Sequence, residues 1–172
     1  MRKPLVVPAL LALALPVAGL AALRAGEGVL SVENGNGKLS LQARGGVIGR
    51  IDSGKITIYD LTPDDANDPF VFGGDQPVVF IGENGTRHAG TGLRFRLAGG
   101  GFRVVINGKG IDLSVVGKGN GSIEGDPIEP GLYSLDGNDC RKAPSSCLPL
   151  PGTRKVFQLG SGEKIPARPE TP

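Results

Sequence analysis

Leu93-Arg-Phe-Arg-Leu97, Phe102-Arg-Val-Val-Ile106 and Ile111-Asp-Leu-Ser-Val115 each alternate apolar with polar side chains, and Gly99-Gly-Gly101 and Asn107-Gly-Lys-Gly110 separate them. Alternation with period two is the signature of a strand with one buried face, and Asn-Gly is the strongest short hairpin signal. A turn centred between Gly108 and Lys109 pairs Ile106 with Ile111, Val104 with Leu113 and Phe102 with Val115. A turn through Gly99 to Gly101 pairs Leu97 with Phe102, Phe95 with Val104 and Leu93 with Ile106. Residues 92–116 are therefore expected to form a three-stranded meander with one wholly apolar face.

The same alternation runs outward from this segment. Strands are expected at 28–33, 38–43, 46–51, 55–61, 78–81, 92–98, 102–107, 110–116, 120–124, 131–135 and 155–159. A turn on Gly35 and Asn36 pairs Val32 with Leu39 and Leu30 with Leu41, with Glu33 facing Lys38. The tags Asn34-Gly-Asn-Gly and Asn107-Gly-Lys-Gly are both expected to close hairpins, a faint sign of internal duplication. No stretch after the N-terminal run sustains a helical period, so the apolar face has to be covered by more sheet. The expected fold is all-β, an antiparallel β-sandwich or closed barrel of about 9–11 short strands, with a β-solenoid as the alternative. The 29 Gly and 14 Pro, with no Trp and one His, fit a turn-rich chain and argue against a helical bundle.

Arg2 and Lys3 precede an apolar run from Leu5 to Leu23 that ends in small residues. Residues 1–21 read as a secretory signal peptide, with cleavage near Ala21 or Ala25. The alternative is an uncleaved membrane anchor, against which Pro8 and Pro16 count. Without the signal, 17 basic residues balance 17 acidic ones, because Arg2 and Lys3 are two of the 19 cations. A globally basic nucleic-acid binder is disfavoured. Residues 26–159 are read as one all-β domain with a polar insertion at 60–77, and residues 160–172 as a disordered Pro-rich tail. Once the signal is removed, no membrane span is expected.

Export to an oxidising compartment predicts a disulfide between Cys140 and Cys147. Closing so short a loop contributes about 2.5 kcal/mol in the chain-entropy account. No second Cys or His pair is present to complete a metal site.

Most catalytic signatures fail. Gly49 to Lys55 has the spacing of a phosphate-binding loop, but Ile56 stands where a hydroxyl is needed and a strand follows. Leu150-Pro-Gly-Thr-Arg154 resembles the L-P-x-T-G sorting signal of wall-anchored proteins, with Arg154 in place of the final Gly. His88 lies in a polar stretch that reads as a loop, with no nucleophile setting beside it. Asn84 and Asn120 match the glycosylation sequon at positions that turn signals already explain. The Asp-rich insertion offers Asp64, Asp65 and Asp68 as weak metal candidates, although the EF-hand template meets Pro69 and Gln76 at ligand positions. No cofactor is expected.

The sharpest functional signal is on the polar face of the meander. There Arg96 is expected opposite Arg103 with Ser114 next in the row, and Arg94 opposite Val105 with Asp112 beyond. Like charges placed opposite each other are destabilising unless neutralised, so Arg94, Arg96, Arg103 and Ser114 form a candidate site for an anion. The competing reading is an ordinary wet sheet face on which Asp112 answers Arg103. The expected function is a non-catalytic exported β-module, secreted, periplasmic or on the cell surface, that binds an acidic glycan, a lipid head group or an envelope protein. The alternatives are a secreted hydrolase using carboxylates of the 60–77 insertion, and a purely structural assembly protein.

Overall fold

The computed structural model describes residues 27–63, 65 and 67–160. The signal or anchor at 1–21, its cleavage positions Ala21 and Ala25, Asp64 and tail residues 161–172 lie outside the described residues.

Among the described residues, seven strands form one antiparallel sheet: β1 Gly28–Asp60, β2 Phe70–Phe72, β3 Val79–Ile81, β4 Gly85–Gly125, β5 Leu132–Ser134, β6 Leu148–Pro149 and β7 Lys155–Leu159. Every segment expected to be extended lies wholly or largely in one of these strands, but the connections between them differ from expectation. Two long strands, β1 and β4, replace the set of short ones, and the sheet is open. The closed barrel is therefore corrected: β2 and β6 end the path β2-β4-β1-β5-β6, while β3 and β7 pair with β4 off that path.

None of the expected reversals occurs within β1 or β4. Val32 faces Leu113 and Tyr133, Leu39 faces Ile106 and Ile123, and Val104 lies between Leu41 and Ile58. The Asn34 and Asn107 tags do not close hairpins. They meet each other, with Gly37 opposite Gly108 and the Gly110 N–H donating to Asn36 Oδ1 at 3.0 Å. His88 lies within β4, opposite Ile56, and is not in a loop. Burial pushes its imidazole pKa down.

β1 and β4 pair with each other on both edges. Val105 lies between Ser40 and Thr57, and Ser114 between Ser31 and Ile48. In each case the flanking residues of β1 are 17 positions apart, so the β1/β4 ribbon coils and comes back beside itself after that many residues. Coiling turns the one apolar face onto itself. Leu30, Leu41, Ile51, Ile58, Leu93, Val104, Ile106 and Val115 are fully buried within a single core.

Glycine makes the coil sterically feasible. Gly90, Gly54, Gly108, Gly37 and Gly125 are successive partners across five neighbouring strand segments. At Gly54, φ is +145° and a Cβ would sit 2.4 Å from the Asn107 carbonyl oxygen and 2.5 Å from Gly108 Cα. No L side chain fits there, because the adjacent backbones touch where the ribbon bends.

Candidate functional site

Alternation along β4 buries Leu93, Phe95 and Leu97 and leaves Arg94, Arg96 and Ala98 on the outer face. The coil brings other segments beside them. Phe70, Arg96, Ile48, Ser114, Ser31 and Ser134 are consecutive partners across the sheet. One pleat away, Phe72, Arg94, Arg50 and Asp112 form a second row. On the other side lies a third row of Ala98, Gly46, Val116 and Val29.

Two walls turn this face into a groove of about 1040 Å³. Asn67, Asp68 and Phe70, from the insertion, form one wall, and Gly137, Asn138, Asp139 and Arg141 form the other. Arg141 lies inside the loop closed by the Cys140–Cys147 disulfide, the bridge expected from the sequence, and Gly137, Asn138 and Asp139 immediately precede that loop. The loop is tied to the sheet by Arg141, whose guanidinium contacts Glu33 at 2.7 Å and Asp112 at 3.0 Å.

Asp112 anchors the charged end. Its side chain is 3% exposed. It accepts the Asn34 N–H at 2.8 Å and ion-pairs with both Arg50 and Arg141. Burial alone would raise its pKa, but the Asn34 hydrogen bond and the two guanidiniums outweigh burial and hold the carboxyl below the usual range. Asp112 therefore answers Arg50 and Arg141, not Arg103 as the wet-face reading had it.

Asp112→Asn is expected to cost about 2 kcal/mol at neutral pH, less than a fully buried pair because both arginines can rehydrate. The folded carboxyl titrates below its unfolded value, so its contribution is complete above about pH 4 and is lost as pH falls through the folded pKa. Urea melts should show the gap between wild type and variant at pH 7 shrinking towards pH 2. A constant gap would show that lost packing, not charge, sets the cost.

The register separates the arginines that the sequence placed together. Arg96 faces Ile48 and Phe70, whereas Arg103 lies on a different part of the sheet between Gln42 and Tyr59, with its guanidinium 4.3 Å from the Tyr59 ring centre. Arg94, Arg96 and Ser114 line the groove and Arg103 does not. The like-charge neighbours are Arg94 and Arg50, directly opposite each other. Asp112 neutralises Arg50. Neither Arg94 nor Arg96 has a hydrogen-bond or ion-pair partner among the described residues. Arg50 and the Arg141 wall escaped sequence reasoning, since β1 and the disulfide loop approach β4 only through the coil.

Among the described residues no group of three or more His, Cys, Asp or Glu side chains is placed to hold a metal ion. Asp65 instead accepts the Thr62 hydroxyl at 2.7 Å and the Asn67 N–H at 3.0 Å, and these bonds hold its carboxyl below the usual range. Among the same residues no helix is long and apolar enough to cross a membrane. No family model, curated protein or solved structure matches this chain.

Proposed function

We propose that this chain is an exported, non-catalytic β-module that binds an anionic ligand in the walled groove. The observation that carries the reading is the pair Arg94 and Arg96, exposed on one face of β4 and without partners among the described residues. Guanidiniums recognise carboxylate, sulfate or phosphate through planar, two-pronged hydrogen bonding. Ser31 and Ser114 add hydroxyls on the floor. In this reading the arms on either side of the glycine bends work as two layers of a sandwich, and the outer face of one layer carries the groove. The disulfide, compatible with an oxidising extracellular location, closes the loop that carries Arg141 of one wall.

The hydrolase alternative needs a carboxyl with a raised pKa as general acid. Asp65, which accepts hydrogen bonds from Thr62 and Asn67, is held in its ionised form and does not suit that role. A structural role in an assembly draws support from the β3 edge, where Val78, Val79 and Phe80 are all exposed.

Thermal unfolding against a panel of acidic glycans and head-group analogues tests the binding reading. A ligand at a hundred times its Kd should add about 2.7 kcal/mol to native-state stability and raise Tm accordingly. The rise should vanish in Arg94→Ala/Arg96→Ala and persist in Arg103→Ala. Without ligand, Arg94→Ala should leave Tm unchanged or slightly higher, because it relieves the repulsion with Arg50. An equal ligand-induced rise in the double variant would reject the site.

A further inference from the structure

The groove floor changes character along the strands. At one end lie the charged residues Arg94, Arg50 and Asp112, and at the other Ala98 and Val29, which carry no polar side chain. The two rows are four residues apart along β4, a separation of about 13 Å. Ile48 stands between them, 60% exposed in mid-sheet with Arg96 on one side and Ser114 on the other. Phe70 adds a ring that is 64% exposed, on the far side of Arg96.

A single exposed apolar residue needs no explanation, but an apolar strip continuous with unpaired arginines inside a walled groove is a different matter. Inorganic phosphate or a small carboxylate would satisfy the arginines and leave Ile48 and Phe70 in water. A neutral hydrocarbon would cover the strip and leave the guanidiniums unanswered. The ligand that satisfies both ends carries one anionic group and an apolar body.

We infer that the groove binds single molecules of an anionic amphiphile, the head group between Arg94 and Arg96 and the apolar chain lying over Ile48 towards Ala98 and Val29. The inference rests on the anion-binding reading of the same groove and adds the apolar half of the ligand. The walls formed by Asn67 to Phe70 and by Gly137 to Arg141 stand on either side of the floor, which suits one molecule lying between them better than a flat bilayer.

The test is calorimetric titration of the purified protein with butyl, hexyl, octyl and decyl sulfate below their micelle concentrations, with inorganic sulfate and octanol as references. Affinity should rise about two- to fourfold per added methylene, the upper figure corresponding to a fully buried CH2. Octyl sulfate should bind at least tenfold more tightly than octanol. Ile48→Ser, at an exposed position that leaves the fold intact by circular dichroism, should flatten the chain-length dependence and keep the preference for sulfate. Arg94→Ala/Arg96→Ala should do the reverse. Affinity independent of chain length but lost in the double arginine variant would overturn the amphiphile and leave the anion site standing. Chain-length dependence without preference for sulfate over octanol, or no binding of any sulfate, would overturn both. Binding to vesicles containing an anionic phospholipid without binding of the dispersed sulfates would assign the face to a membrane surface and overturn the single-molecule inference.

Discussion

Gly54→Ala is expected to destabilise the native state by about 4 kcal/mol and to lower Tm by roughly 15 °C, because it adds backbone strain to a steric clash. Gly54 has φ +145°, and the added methyl would lie 2.4 Å from the Asn107 carbonyl oxygen. That oxygen and the nearby Gly108 Cα belong to backbone held in the ladder, so no side chain can swing away to make room. Relief requires β1 and β4 to separate at the bend, where Gly54 sits between Gly90 and Gly108 in the row of five. Gly152→Ala is the control: a Cβ there meets nothing within 4 Å, and Gly152 has no positive φ. Equilibrium unfolding in urea should show the control within about 0.5 kcal/mol of wild type. Similar stabilities for the two variants would mean that the ribbon bends elsewhere.

The second large effect is expected at Phe95, beneath the groove. Its buried ring fills the space of the side chain that Gly49 lacks: a Cβ on Gly49 would lie 2.6 Å from Phe95 Cζ. Phe95→Ala should cost about 4 kcal/mol, since a buried ring leaves a cavity that ladder backbone cannot collapse to fill. The complementarity gives a sharper measurement than truncation alone. Gly49→Ala should destabilise wild type by about 2 kcal/mol through overpacking, and clearly less in a Phe95→Leu background, where the ring is gone. The Asp112 carbonyl oxygen, 2.7 Å from the same Cβ position, keeps the rescue partial. A double-mutant cycle with no coupling would show that the ring does not substitute for the missing side chain.

Both effects come from the part of the fold that sequence patterning left open. Period two assigns each side chain to a face, and it assigned these correctly: Leu93, Phe95, Leu97, Phe102, Val104, Ile106, Ile111, Leu113 and Val115 are all buried. It carries no information on which strand lies alongside, because every register that keeps the faces matched satisfies the same pattern. The glycines were ambiguous in the same way. A positive φ serves a two-residue reversal and a bend within a continuing strand equally well, and Asn34-Gly and Asn107-Gly carry the sequence signal of a reversal. The coil decides for the bend, since it gives the inner segments of β1 and β4 a hydrogen-bonded neighbour on each edge and turns the apolar face of the ribbon onto one core.

The candidate site divides along the same line. Arg94 and Arg96 could be placed on one outer face from alternation within β4, because they are two positions apart in one strand and nothing tertiary enters. That Arg103 leaves the site, and that Arg50 and Arg141 approach Asp112, could not be read this way: these relations join residues dozens of positions apart. By itself, then, the sequence determined an all-β chain, the identity of its buried face and the Cys140–Cys147 bridge, because each follows from short-range periodicity or from two cysteines with no other partner. Only the tertiary structure decided the open coiled sheet, the bends at glycine and the walled groove, because strand pairing is settled by the global condition that one apolar face must bury itself without leaving backbone hydrogen bonds unmade.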